Sequence, residues 1–488
     1  MIYEGEKCRL KYDIFYNILT LSLLLLLFFL CLSFWNINSQ SIKKFIHMYN
    51  WIGVIIIVYI FYTWRRITEK TFTPYTIFFL FVALFNYGQF IMWAFGIHYK
   101  GELGTTNFVR YMDQITLLRI QMITCVYFLS FHYGSILITI NLQKKKQYKK
   151  LKDDNTLYCL SLKIVVLPIL VISTIVTYYL SIKSLNIATN YGYTSIYYGG
   201  FLQINPFFKY MSYMFFPSLL GLWISYKYSK KAFYVAMLIF LPYLIINMLS
   251  GDRGSWVYNI IILFWCYVNY INKPKGSSLI KFLIIGIIIL MTTSIIVKFR
   301  EIGLKQITKS DIFYIIRDSS YIFMKPIFEM GQSARVLGII IQDNLDKYWS
   351  YGNTYVAGFL GILLPRVKTW FGYPDFYLDN WLSQDYLGLK NYGVGFSIFA
   401  EAYLNGGLFY SCFFVLLLGV LFGKCFYINQ FDCNNPRKMF FALSSLSTFM
   451  YIARGSFELY FRMWFYGTII IIFIVDFLVK LFKMFSAK

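Results

Sequence analysis

Stretches of about twenty apolar residues recur along almost the whole chain, beginning with LTLSLLLLLFFLCLSFW at 19–35. At a rise of ~1.5 Å per residue, such a stretch crosses the ~30 Å hydrocarbon layer of a bilayer as one helix. The runs are continuous and lack the inside/outside alternation of a barrel strand. The sequence therefore predicts an all-α, polytopic integral membrane protein. Composition agrees: only 14% of the 488 residues are charged, against about 25% in an average soluble domain.

Twelve spans are expected, at 14–34, 48–64, 74–97, 114–140, 162–182, 207–226, 232–249, 255–271, 282–298, 406–426, 439–453 and 464–482. Basic residues gather on alternate connections: Lys7/Arg9/Lys11, Arg65/Arg66/Lys70, 144–152, Lys227/Lys230/Lys231, Lys273/Lys275/Lys281, Lys424/Arg437/Lys438 and Lys480/Lys483/Lys488. These groups hold 24 of the 46 basic residues. By the positive-inside rule they are cytoplasmic, and so are both termini. The formal charge of +24 is then a topological signal, and no nucleic-acid partner is expected. Residues 1–34 start charged and turn apolar like a signal peptide. The run is too long, however, and no small-residue cleavage site follows, so a retained signal-anchor helix is expected.

Metal and redox chemistry find little support. No CxxC occurs, and no cysteine falls in an expected external loop, where oxidation would pair it. His47, His98 and His132 lack ligand-like spacing to cysteines or acids. Phosphate-cradling, HExxH and GxSxG motifs are missing as well. No metal and no cofactor are expected.

One connection breaks the pattern. Residues 299–392 form an external loop of some ninety residues, between spans 1–9 (1–298) and a final membrane segment (393–488), all within one membrane domain. The loop carries ten basic and nine acidic residues. Asp311, Asp318 and Lys325 recur every seven positions among apolar neighbours, the stripe of a helix lying in the interface or beneath other segments. YVAGFLGILLP at 355–365 is too short to cross and suits an interfacial or re-entrant element.

Arginines mark the expected outer borders: Arg253 in SGDRGS, Arg300 in KFRE, Arg335 in QSARVLG, Arg366 in LLPRVK and Arg454 in YIARGSFELYFR. A guanidinium is costly at mid-membrane but cheap at its edge, where it forks onto phosphate oxygens. Snorkelling to lipid phosphates is the plainer reading of each one. Arg253 and Arg454 have glycine neighbours that let a ligand approach the backbone. Arg119 is expected to pair with an acid, and Asp476 with Lys480 four residues on. The aromatic segment around 190–200 suits sugar stacking or interfacial belting alike.

After the loop comes GVGFSIFAEAYLNGG, 393–407. As a helix it would stack Ser397, Glu401 and Asn405 on one face. Three roles stay open for Glu401: partner of an arginine, general base, or binder of a sugar hydroxyl. Ser397 and Asn405 read as hydrogen-bonding groups, since no base is visible for the serine.

The run Gly395-Phe396-Ser397-x-x-Ala400-Glu401-x-Tyr403-x-Asn405-x-Gly407, with the arginine islands above, resembles O-antigen polysaccharide polymerases. Two arginine motifs of some members' external loops are not evident here. The resemblance implies a GT-C-like membrane glycosyltransferase of the polymerase/ligase type, in the bacterial inner membrane, working without metal. It would move a growing glycan from undecaprenyl diphosphate onto the non-reducing end of another lipid-linked repeat unit, for O-antigen or capsule. In that frame Arg253, Arg300, Arg335, Arg366 and Arg454 bind the diphosphate, Glu401 is catalytic, and Ser397, Tyr403 and Asn405 meet the glycan. Membrane lipids and a chain-length-regulating membrane protein are the implied partners. An O-antigen ligase is the nearest alternative, although the loop lacks the histidine expected of one. A lipid-linked oligosaccharide flippase is the other, although the large loop breaks the two-fold repeat such folds carry.

Overall fold

The computed structural model describes residues 2–36, 41–99, 101–104, 109, 111–146, 155–193, 195–198, 204–252, 254–272, 319–347, 352–362, 367–370, 377–389, 393–428 and 435–486. The expected span at 282–298, the stripe positions Asp311 and Asp318, and Arg253, Arg300 and Arg366 lie outside them. The described residues are helical, without strands.

Eight described helices are long and apolar enough to cross a membrane. They are α1 (Ile2–Phe34, its apolar part from Asp13), α2 (Ile42–Thr68), α3 (Pro74–Ala94), α4 (Gln114–Lys146) and α5 (Asn155–Tyr191), then three reached after shorter elements. Those shorter elements begin with α6 (Ser195–Tyr198), α7 (Pro206–Tyr213) and α8 (Phe215–Ser225), ahead of the spanning helix α9 (Lys230–Ser250). The expected span 207–226 is thus broken at Met214 into α7 and α8. Next, α10 (Gly254–Cys266) continues through a π turn to Ile271.

Within the large loop lie α11 (Ser319–Gly331), α12 (Ala334–Gln342), α13 (Asn353–Leu360), α14 (Val367–Trp370) and α15 (Leu378–Asn380). The last part comprises α16 (Ile398–Phe426), α17 (Pro436–Phe449), α18 (Phe457–Trp464) and α19 (Ile470–Ser486). A π turn joins α18 to α19, giving the span Phe457–Phe485.

Local chemistry starts these helices where it should. Thr73 and Thr76 close a reciprocal capping box ahead of Pro74. Ser229 caps α9, Asn435 caps α17, and Pro436 takes the first position of α17.

In lipid, helices gain little by hiding apolar surface from one another, so close backbone approach and polar contacts hold them together. The seam between α4 and α16 shows how. A Cβ on Gly134 would collide with the Leu416 carbonyl, and one on Gly419 with the Phe131 carbonyl. Ser135 Oγ donates to the Gly419 carbonyl across that seam at 2.9 Å. On its other flank α4 sends His132 between Thr63 Oγ1 of α2 (2.7 Å) and the Tyr75 hydroxyl of α3 (2.9 Å). Helix α4 is therefore the post around which α1, α2 and α16 gather. Helices α5, α9 and α19 turn large apolar side chains outward, among them Ile175, Leu238 and Phe473.

Two expected pairings are corrected. Arg119 donates to the Trp35 carbonyl (2.9 Å) and lies over the Trp35 ring, rather than meeting an acid. Asp476 pairs with Arg437 at 2.6 Å, across from α19 to α17, rather than with Lys480. Both residues reach further than one helical turn, which spacing along one helix does not reveal.

Replacing Gly419 by leucine is expected to lower stability by at least ~1–3 kcal/mol through overpacking. Leu417→Ala, on the exposed side of the same helix, is expected to shift it by no more than about 0.5 kcal/mol. Thermal unfolding of the detergent-purified proteins checks both.

Candidate functional site

Helix α16 begins at Ile398, eight residues before the expected span, so Ser397 sits just outside the helix rather than on its face. Ser397, in extended conformation, caps it and accepts from the Ala400 amide at 3.1 Å. Glu401, fully buried, accepts from Thr354 Oγ1 on one oxygen (2.8 Å) and from the Phe457 amide on the other (2.6 Å). That amide is at the first turn of α18, where unpaired N–H groups favour an anion. Asn405 completes the group: its Nδ2 donates to Thr354 Oγ1 and to the Glu401 carbonyl, and its Oδ1 accepts from the Thr354 amide. Two residues later Gly407 takes φ 54° and ψ −150° and kinks the helix. A residue with a Cβ would be strained there and would press on Asp346.

The structure thus brings Ser397, Glu401 and Asn405 together, with each polar group already held inside the protein. Glu401 has neutral donors on both oxygens and no ion pair with an arginine among the described residues. Tyr403 is buried and stacks on Trp35. Arg335 is buried in the first turn of α12, which packs against α3, α4 and α16. Arg454 is exposed at the end of the turn following α17, with the Gly395 backbone against its side chain.

A second group assembles one turn further along α18, from residues that were not singled out by the sequence. Glu458 Oε1 accepts from Lys368 Nζ at 2.8 Å and from Arg462 Nη2 at 2.9 Å. Arg462 also donates from Nε to the Gly361 carbonyl (2.9 Å) and from Nη1 to the Tyr377 hydroxyl (2.6 Å). Lys368, Glu458 and Arg462 are all buried. The Tyr377 ring faces three cations: Arg462 at 5.5 Å, Lys368 at 5.7 Å and Lys209 of α7 at 5.7 Å. Burial, and then the Arg462 charge, push Lys209 below its usual ammonium pKa. Lys368 and Arg462 share the Glu458 carboxylate, and Lys209 joins them at the Tyr377 ring.

Beside this group lies Asp379, at α15. Burial raises its carboxyl to about 6, while the Ser456 hydroxyl and the Arg454 charge draw it partly back. Its Oδ1 is buried without a hydrogen-bond partner among the described residues. Next to it, a cavity of about 340 Å³ is lined from α5, α7, α8, α9, α10, α17 and α18.

The Glu458–Arg462 spacing, four residues on one helix, was readable as an ion pair in ELYFR. Nothing local marks Lys209, Lys368, Tyr377 or Asp379, which come from three separate segments.

A family model described as O-antigen polysaccharide polymerase Wzy matches residues 16–485. Comparison with curated proteins and with solved structures yields no match.

Glu401→Ala is expected to strand the Phe457 amide and the Thr354 hydroxyl, at ~1–3 kcal/mol for each unsatisfied group. Glu401→Gln keeps one acceptor and is expected to lose less. Denaturation midpoints of the two variants give the comparison.

Proposed function

The chain belongs to the O-antigen polysaccharide polymerase Wzy family, and from that premise we propose that it lengthens a glycan held on undecaprenyl diphosphate. Membership makes it a multi-pass membrane polymerase acting on lipid-linked oligosaccharide. In our reading the growing glycan leaves one carrier lipid for the non-reducing end of a second lipid-linked repeat unit. The reaction runs at the extracytoplasmic face of the bacterial inner membrane, with both termini of the chain cytoplasmic.

The observation that carries this reading is the meeting of three cationic side chains, Lys209, Lys368 and Arg462, at the Tyr377 ring. Attack by an acceptor hydroxyl forms the new C1–O bond. The old C1–O bond to phosphate breaks with its electron pair, so negative charge grows on the departing diphosphate. Lys209, Lys368 and Arg462 provide fixed cations for that charge, a stabilisation that needs no reorganisation as the bond breaks. Arg335 and Arg454, with Arg253, Arg300 and Arg366 beyond the described residues, remain candidates for the same wall. Of these, Arg454 acts on Asp379 directly through its charge.

The hydroxyl proton needs an acceptor. Asp379 suits that work better than Glu401, because Asp379 Oδ1 is uncommitted while both Glu401 oxygens are engaged. Glu401 then orients the acceptor side indirectly, by holding α13, α16 and α18 in register. Ser397, Tyr403 and Asn405 support that frame rather than meeting the glycan.

A base must be ionised to work. Turnover is therefore expected to fall as pH drops through about 6, the value to which burial lifts Asp379. Arg454, Glu401 and Tyr460 are the charged and titratable groups that act on it. Asp379→Asn is expected to remove that limb of the pH profile and to cut turnover about 10²–10⁴-fold. Equal wild-type rates at pH 5 and pH 7.5 would discard Asp379 as the base.

Deleting the chain's gene in the producing strain tests the reaction itself. Loss of the polymer ladder with a single repeat unit still attached is the expected outcome. Polymer left on carrier lipid would indicate a ligase instead, and untranslocated repeat units a flippase.

A further inference from the structure

The 340 Å³ cavity differs in character from the cationic group beside it, and the two share their walls. Helix α7 carries Lys209 on the Tyr377 ring and, four residues later on the same face, Tyr213 in the cavity lining. Helix α18 likewise carries Arg462 in the cationic group, and Tyr460 and Met463 in the cavity. Whatever fills the cavity is one side chain away from whatever neutralises those cations.

The cavity lining sets hydroxyls, amides and the Asp252 carboxyl among tyrosine rings and apolar side chains such as Leu180, Phe215 and Met463. A pyranose ring asks for this combination, with donors and acceptors for its hydroxyls and aromatic surface for its C–H faces. Two atoms are uncommitted. Thr177 Oγ1 lines the cavity, is buried, and has no partner. Asn247 spends its Nδ2 on Ser181 Oγ and the Tyr243 carbonyl, and its Oδ1 accepts nothing among the described residues. The volume falls at the small end of ligand pockets, about 300–1,000 Å³. It suits a ring or two rather than a whole repeat unit or a prenyl tail.

We infer that this cavity is the socket for the first sugar of the donor, the ring bonded directly to the diphosphate. The inference rests on the lipid-diphosphate reading and adds to it a site that selects the reacting sugar. With the ring seated among Thr177, Asn247 and Tyr451, its anomeric carbon faces the Tyr213–Tyr460 wall. The phosphate side is then toward Arg462 and Lys209, and Asp379 is behind Tyr460. Specificity for that sugar is set here, apart from the groups that bind charge.

The test uses the full-length protein in nanodiscs and two probes: a short-chain prenyl diphosphate, and the same lipid bearing the first sugar of the strain's own repeat unit. Wild type is expected to bind the glycosylated probe about tenfold more tightly than the bare one, a difference of ~1.4 kcal/mol. Thr177→Val, which breaks no internal hydrogen bond, and Asn247→Leu are each expected to bring the two affinities within about threefold of each other. Affinity for the bare lipid stays unchanged in both. The socket is overturned if wild type binds the bare lipid yet ignores the sugar, or if both variants keep wild-type discrimination; the donor reading survives either result. Failure of wild type to bind either probe removes the donor reading, and this inference with it.

Discussion

A carboxylate removed from water must recover its lost hydration from fixed donors, and Glu401 does so from two segments remote in sequence. Thr354 comes from the large loop and the Phe457 amide from the start of the last spanning stretch. One side chain of α16 therefore clamps α13 to α18. The clamp repeats at the far end of α13, where the Gly361 carbonyl accepts from Arg462. Between the two, Gly358 lies so close to Glu458 that an added Cβ would stand 3.1 Å from the Glu458 Cα. The α13 stretch is fastened to α16 and α18 at both ends and between them, and Arg462 of the group at Tyr377 takes part in that fastening.

The two acids of this region meet opposite surroundings. Glu401 faces neutral N–H and O–H groups, an arrangement that is complete as it stands. Glu458 faces two cations directly, and a third, Lys209, meets the same Tyr377 ring. Bringing several ions out of water is worthwhile only where all of them find compensation. The first arrangement is a joint between α13, α16 and α18, and the second gathers cations at Tyr377.

Below this face the bundle relies on contacts of another kind. Glycines let α4 and α16 approach until backbone meets backbone, and serine and histidine side chains tie α4 to its neighbours. The kink at Gly407 then turns the first two turns of α16 out of line with the apolar part. Glu401 and Asn405 are carried by the segment before the kink, so the rigid seam and the polar clamp belong to one helix with two directions.

Much of the fold was legible in the chain itself. Hydrophobic length alone marks α1–α5, α9, α16 and the last span, because crossing hydrocarbon is a requirement on composition that any single segment must meet. The four-residue steps from Ser397 to Glu401 to Asn405 were equally readable, since helical periodicity is local. The break of 207–226 at Met214 was not, because both halves are apolar and only packing distinguishes them. The partners of those three residues, and the meeting of Lys209, Lys368, Tyr377, Asp379 and Arg462, were decided by tertiary structure. Those residues stand in four separate stretches of sequence, and electrostatic compensation depends on distance in space, which spacing along the chain does not encode.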